Sequence, residues 1–244
     1  MSVNSYLNDL AQRAIMRDDE KNKINISVEN IKNRLRNDDK IKDIKIFGSY
    51  KRSTIISRKF DENSDIDIMV IFKDDHYKPQ TYLNYLKGLI KQKYTRSEIY
   101  QNNPTIVLEL NHIKFELVPA LDCFFGMYKI PAKQSDYANW LETDPEELNG
   151  KLTNNQNLRR LVRVAKIWNV KQGGLFNSYE LEKFIVDNIC TYGNLADYFY
   201  TFCNTLHTKY NHLQYKNNKI ERLKEKASTA RMFDTEADIV DLFE

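Results

Sequence analysis

The chain has 244 residues, 41% hydrophobic and 29% charged, with a formal net charge of +3. That is an ordinary balance for a globular protein with one sizeable domain or two intimate lobes. The charge is too small to argue for nucleic-acid binding without clustering. Only 7 Gly and 5 Pro argue against long disordered linkers and against a turn-rich all-β fold. Cys123, Cys190 and Cys203 form no C-x-x-C pair and no zinc spacing with His76, His112, His207 or His212, which predicts buried free thiols. The N-terminus is charged too early for a signal peptide, and no run approaches 18 apolar residues. The expectation is a soluble cytoplasmic protein with no membrane association.

In chain order, residues 4–36 carry helical spacing (Tyr6, Leu7, Leu10, Ala11, Ala14, then Ile24, Val28, Ile31, Leu35), with Asn4 or Ser5 as the cap. Ile41 to Phe47 alternates as a half-buried strand. Gly48-Ser49 breaks it, and a helix begins near Ser49. Such a turn lets backbone amides approach a phosphate, with Lys51, Arg52 and Arg58 as nearby cations. Asp65–Phe72 reads as a central strand with both faces covered. Asp65 and Asp67, two residues apart, share one face. Two like charges held so close need a cation between them. Asp61-x-Asn63-x-Asp65 opens like an EF-hand loop, but Ile66 stands where Gly is required and Phe72 where Glu is required.

Residues 80–95 form a helix by periodicity. Thr105–Leu110 and Ile113–Val118 form a hairpin around Asn111-His112. Glu116 sits mid-strand among apolar neighbours, which calls for a partner if buried, or an edge strand in water. Residues 120–150 read as irregular, with a short helix capped at Thr143-Asp144-Pro145. Beyond 153 the chain reads as helices. Arg159, Arg163 and Lys166 make a basic row, either a solvated face or a ridge facing a triphosphate. Gly173-Gly174 ends that helix, Ser178-Tyr179 opens the next, and a basic stretch spans Lys216–Lys226.

Asp65, Asp67 and Glu116 on adjacent strands suit two Mg2+ or Mn2+ ions. Such ions, about 3.5–4 Å apart, clamp the attacking and leaving oxygens of a phosphoryl displacement. Gly48-Ser49, Ser64-Asp65-Ile66-Asp67 and Phe115-Glu116-Leu117-Val118-Pro119-Ala120 resemble the cGAS/DncV-like nucleotidyltransferases (CD-NTases), a branch of the polymerase-beta-like superfamily related to the oligoadenylate synthases. Ile130-Pro131, Trp140, Thr143-Asp144-Pro145, Lys166-Ile167-Trp168-Asn169 and Ser178-Tyr179-Glu180-Leu181-Glu182 extend the resemblance over roughly residues 40–195.

The resemblance implies an α+β fold, with a small mixed-sheet lobe and a helical lobe around a central cleft. The catalytic lobe, with the N-terminal helix, would span 1–130 and the helical lobe 131–244. Asp65, Asp67 and Glu116 would be catalytic and bind the metals. Gly48 and Ser49 would hold a donor phosphate, Lys166 and Ser178 would contact the triphosphate, and Tyr179 would stack on a base. The implied activity joins nucleoside triphosphates, ATP among them, into a cyclic or short linear oligonucleotide that signals to an effector in antiphage defence (CBASS). Two alternatives stay open: transfer to tRNA, another RNA or a protein hydroxyl, for which Lys216–Lys226 is the candidate RNA track, and a non-catalytic nucleotide sensor. The third carboxylate is Glu where many members have Asp.

Overall fold

A computed structural model describes residues 1–102, 104–111, 113–132, 139–207 and 214–244. His112, in the expected hairpin turn, and His212 lie outside the described residues. In chain order the elements are α1 (Val3–Arg13), α2 (Asp18–Leu35), β1 (Ile41–Ile46), α3 (Gly48–Lys51), β2 (Asp65–Phe72), α4 (Pro79–Lys93), β3 (Glu98–Asn102), β4 (Thr105–Leu110) and β5 (Ile113–Asp122). They continue with β6 (Tyr128–Pro131), β7 (Trp140–Thr143), α5 (Asn149–Thr153), α6 (Gln156–Lys171), α7 (Ser178–Asn188), α8 (Leu195–Thr205) and α9 (Gln214–Phe233). The helix expected over 4–36 is two helices. The first is capped by Ser2, whose hydroxyl accepts from the Ser5 amide at 3.2 Å, rather than by Asn4 or Ser5. The region expected to be irregular holds the end of β5, β6 and β7, and β3 has no counterpart in the sequence periodicity.

The chain folds into two compact units that do not follow a division at 130/131. One comprises residues 17–52 and 63–147, the other 1–16, 53–62 and 148–244.

The first unit is built on a mixed sheet in the order β1-β2-β5-β4-β3, with β6 paired to β5 and β7 to β6. β2 and β5 run parallel, while the other pairs are antiparallel. β2 is therefore central, as its apolar run requires. Ile66, Ile68, Val70 and Phe72 face one way, and Phe72 meets Tyr82 of α4 edge-on at 5.0 Å. On the other face Met69 and Ile71 pack with Ala120 and Tyr128, against Phe47 and Ile130. Burying each such aliphatic chain contributes about 1.5–3 kcal/mol, which fixes the register.

The second unit packs α1, α5, α7 and α8 against α6. Val3, Leu7 and Leu10 of α1 are 0–2% exposed in its core, beside Leu161, Val162 and Trp168. Residues 53–62 belong here because α6 holds their backbone. Arg163 donates from Nη1 to the Ser53 carbonyl at 2.8 Å and from Nε to the Ala11 carbonyl at 3.1 Å, and the Ser57 amide donates to the Ala14 carbonyl at 2.8 Å. Gly173 and Gly174 end α6 with φ of +84° and +72°, a conformation that favours glycine. Of the three thiols only Cys203 is buried, and burial raises its pKa; Cys123 is half-buried and Cys190 exposed, so the expectation of buried cysteines holds for one. No helix among the described residues is long and apolar enough to cross a membrane.

Candidate active site

The strand register brings together what the sequence separates by fifty residues. Asp67 pairs with Glu116, and Asp65 with Lys114, along the parallel β2/β5 ladder. Partners in register share a face, so Asp65, Asp67 and Glu116 stand on one face of the sheet. All three are half-buried. β5 lies between β2 and β4, which rules out the edge-strand reading of Glu116.

The Gly48 turn closes on the same place. Gly48 has φ +70°, and a Cβ built there would fall 1.9 Å from Asp67 Oδ2. Only glycine permits this approach of backbone to carboxylate. The Phe47 amide donates to the Asp67 carbonyl at 3.1 Å, fixing the turn to the strand. Ser49 follows in the four-residue α3, half-buried. Lys51, expected as a nearby cation, is ion-paired with Glu146, and Arg58 donates to the Glu62 carbonyl at 3.1 Å.

Glu116 leans towards β4. Its Oε2 lies 3.2 Å from the hydroxyl of Thr105, which is 5% exposed. Further along the face, the Tyr100 hydroxyl donates to Glu109 at 2.8 Å; that bond, with burial, pushes the phenol up to about 12. Lys114 lies 3.9 Å from Glu109.

By residue type and by face, the set offers the hard oxygen donors that a divalent cation takes. Among the described residues, however, no group of three or more His, Cys, Asp or Glu side chains converges closely enough to hold a metal ion. The three carboxylates share a face without closing on one point.

In the helical unit the basic row is not a ridge. Arg163 and Lys166 are 6% and 5% exposed. Lys166 Nζ sits 3.0 Å from Glu182 Oε2 and donates to the Thr54 carbonyl at 3.2 Å, while the Thr54 hydroxyl donates to Glu182 Oε1 at 2.8 Å. Burial, then the neighbouring Arg159 and Arg160, lowers the Arg163 pKa to about 10. Ser178 and Tyr179 do open α7 and are exposed, Tyr179 by 42%. The cap is Asn177, whose side-chain oxygen accepts from the Tyr179 amide at 2.9 Å.

Sequence reasoning overlooked Thr105 and Glu182. The hairpin register pairs Val107 with Glu116, and so puts Thr105, two residues earlier, on the Glu116 face. That much could have been counted from the two-residue turn. Glu182 stood in the Ser178–Glu182 block without a role, because its partners Lys166 and Thr54 are distant in sequence.

This sheet, with carboxylates on its central parallel strands and a glycine turn against one of them, defines a polymerase-beta-like nucleotidyltransferase fold. Solved structures agree. Vibrio cholerae DncV in its apo form matches 100% of this chain and 96% of its own, with TM-score 0.74 at 11% identity. E. coli MS115-1 CdnC with ATP matches 99% and 96%, with TM-score 0.74 at 13% identity. The Bradyrhizobium diazoefficiens CD-NTase CdnG in complex with GTP matches 94% and 92%, with TM-score 0.76 at 12% identity.

Residues 1–157 match the family model of the Second Messenger Oligonucleotide or Dinucleotide Synthetase domain (SMODS), and the chain belongs to that family, within the CD-NTase nucleotidyltransferases. A probable cyclic nucleotide synthase of Bacillus cereus (strain VD146) is 28% identical over 189 residues. The match takes in 60% of this chain and 55% of the relative, so it spans about half the relative's length.

Proposed function

We propose that this protein joins nucleoside triphosphates, ATP among them, into a cyclic or short linear oligonucleotide, and that the product signals to an effector in antiphage defence in the cytoplasm. The observation that supports this best is the register of Asp67 with Glu116, with Asp65 on the same face and Gly48 against Asp67.

Asp65, Asp67 and Glu116 would hold two Mg2+ or Mn2+ ions, which supply charge neutralisation of the triphosphate and activation of the attacking hydroxyl. The chain's own part is positioning. The Asp67 carbonyl holds the Phe47 amide, so the Gly48-Ser49 turn stays beside Asp67, where Ser49 would donate to a donor phosphate. Exposed Ser178 would meet phosphate, and Tyr179 would offer a π-face to a base. Lys166, ion-paired with Glu182, would also serve the triphosphate.

Nothing specific favours an RNA acceptor. The basic stretch of α9 is largely committed within its own unit. Lys216 and Lys219 donate to the Leu175 and Gln172 carbonyls at 2.9 and 2.6 Å, and Arg222 and Lys226 meet Asp241 at 2.7 and 3.3 Å.

Incubation with all four triphosphates and Mg2+ or Mn2+, with and without RNA, followed by mass spectrometry, tests the reading. An oligonucleotide formed without RNA supports it. Products formed only on added RNA, or none, overturn it.

A further inference from the structure

We infer that Arg163 is a positioning residue for the donor-phosphate turn: its buried guanidinium holds the Ser53 carbonyl and so fixes the end of α3, the short helix that carries Ser49. The inference rests on the reading of Gly48-Ser49 as that turn, and concerns a residue to which the reading gives no role.

α3 leaves its single turn through a strained residue. Before the helix, the Phe47 amide donates to the Asp67 carbonyl at 3.1 Å. At its end, the Arg52 amide donates back to the Gly48 carbonyl at 3.2 Å and closes the turn. Ser53 follows with φ +58°, in the left-handed region. A residue with a Cβ is disfavoured there by roughly tenfold, and glycine is the residue that escapes this. Relaxing Ser53 to negative φ would turn its carbonyl away and let the end of α3 move with it.

Arg163 opposes that relaxation. It is 6% exposed, and a buried cation is costly unless hydrogen-bonded. Nη1 donates to the Ser53 carbonyl at 2.8 Å, and Nε to the Ala11 carbonyl at 3.1 Å. Ala11 lies in the last turn of α1, where carbonyls lack a partner within the helix. The planar guanidinium serves the two acceptors at fixed angles, so the Ser53 carbonyl is tied to α1 and α6 at once. The next residue adds no slack. Thr54 is buried, its carbonyl accepts from Lys166 at 3.2 Å, and its hydroxyl donates to Glu182 at 2.8 Å. The turn is therefore held at Phe47 on one side and at Ser53 on the other, with Ser49 between.

The test is pyrophosphate release from nucleoside triphosphates with Mg2+ or Mn2+ by the full chain, resolved into kcat and KM, beside thermal unfolding. Arg163→Met keeps apolar bulk and removes both donors. It should lower kcat on the order of 10²-fold, as misplacement by about 1 Å does, and leave KM near that of the unaltered protein. Its unfolding temperature should fall too, through the lost Ala11 bond. Ser53→Gly relieves the strain at φ +58°. Alone it should turn over as the unaltered protein does. Added to Arg163→Met it should restore kcat roughly tenfold, while the unfolding temperature stays low because the Ala11 bond is still missing. A merely structural role for Arg163 would leave kcat of the double variant at that of Arg163→Met and would overturn the inference, as would unchanged kcat in Arg163→Met. Should Arg163→Met lose its fold by circular dichroism, Ser53→Val takes its place, since a β-branched residue is worse still at positive φ and the Ala11 bond is kept. Its kcat should then fall well below that of Ser53→Gly, and equal kcat in the two overturns the inference. Absence of pyrophosphate release by the unaltered protein overturns the nucleotide reading itself, a result distinct from turnover that ignores Arg163.

Discussion

At Gly48, one missing methyl decides whether the turn can exist. Alanine there would carry a Cβ 1.9 Å from Asp67 Oδ2 and hold φ at +70°, where an L-residue costs roughly 1–2 kcal/mol. Either the turn or Asp67 must move. Gly48→Ala is expected to lower nucleotide turnover on the order of 10²-fold, by misplacing groups about 1 Å, with a smaller loss in thermal unfolding temperature. Paired turnover and melting measurements check this.

Tyr100 makes a pH prediction at the same scale. Its bond to Glu109, with burial, raises the phenol from 10.0 to about 12. A group whose folded pKa is raised contributes stability that is complete below the unfolded value and lost as pH rises through the folded one. Part of the stability lost between pH 10 and about pH 12 therefore belongs to Tyr100. Tyr100→Phe should show a smaller fall in denaturation midpoint over that window than the unaltered protein.

At the scale of elements, α6 and α7 are joined by charge buried among apolar side chains. Lys166 and Glu182 have 6% and 0% side-chain exposure at 3.0 Å. Such a pair adds little net stability over an apolar replacement, but breaking it leaves a lone buried charge. Lys166→Met should cost about 3–5 kcal/mol in urea unfolding, and Lys166→Met/Glu182→Leu should recover most of it. If the single variant unfolds like the parent, the pair is not buried in solution.

Legibility in the sequence also divides by element. β2 was readable to the residue because its apolar run begins and ends sharply. The β4/β5 pair was readable because both strands alternate. β3, with Glu98, Gln101 and Asn102 among its five residues, lacks an apolar face and gave no period. β6 and β7 are four residues each, too short for one. Arg163 and Lys166 looked like surface charge because their partners, main-chain carbonyls and a glutamate sixteen residues on, leave no local pattern.

For the whole molecule, the same limit explains the boundary. Periodicity assigns helix but not the unit a helix joins, and α1 was expected with the catalytic lobe. Instead its Val3, Leu7 and Leu10 complete the helical unit, as do residues 53–62 through bonds to Ala14 and Arg163. Deleting residues 1–16 should therefore unfold the helical unit, read as loss of helical circular dichroism beyond that of the deleted segment. Loss limited to the segment itself would contradict the assignment. The candidate carboxylates were legible as residue types in order, and their shared face followed from strand parity. The closing details, Gly48 on Asp67 and Thr105 on Glu116, depend on atomic distances that no spacing encodes.

Nucleotidyl transfer at the carboxylates of β2 would release pyrophosphate, so the decisive experiment is pyrophosphate release from nucleoside triphosphates with Mg2+ or Mn2+, by the unaltered protein and by Asp65→Asn/Asp67→Asn. Release by the first and none by the second, with both melting alike, is the expected result. Equal release by both, or none by either, would contradict it.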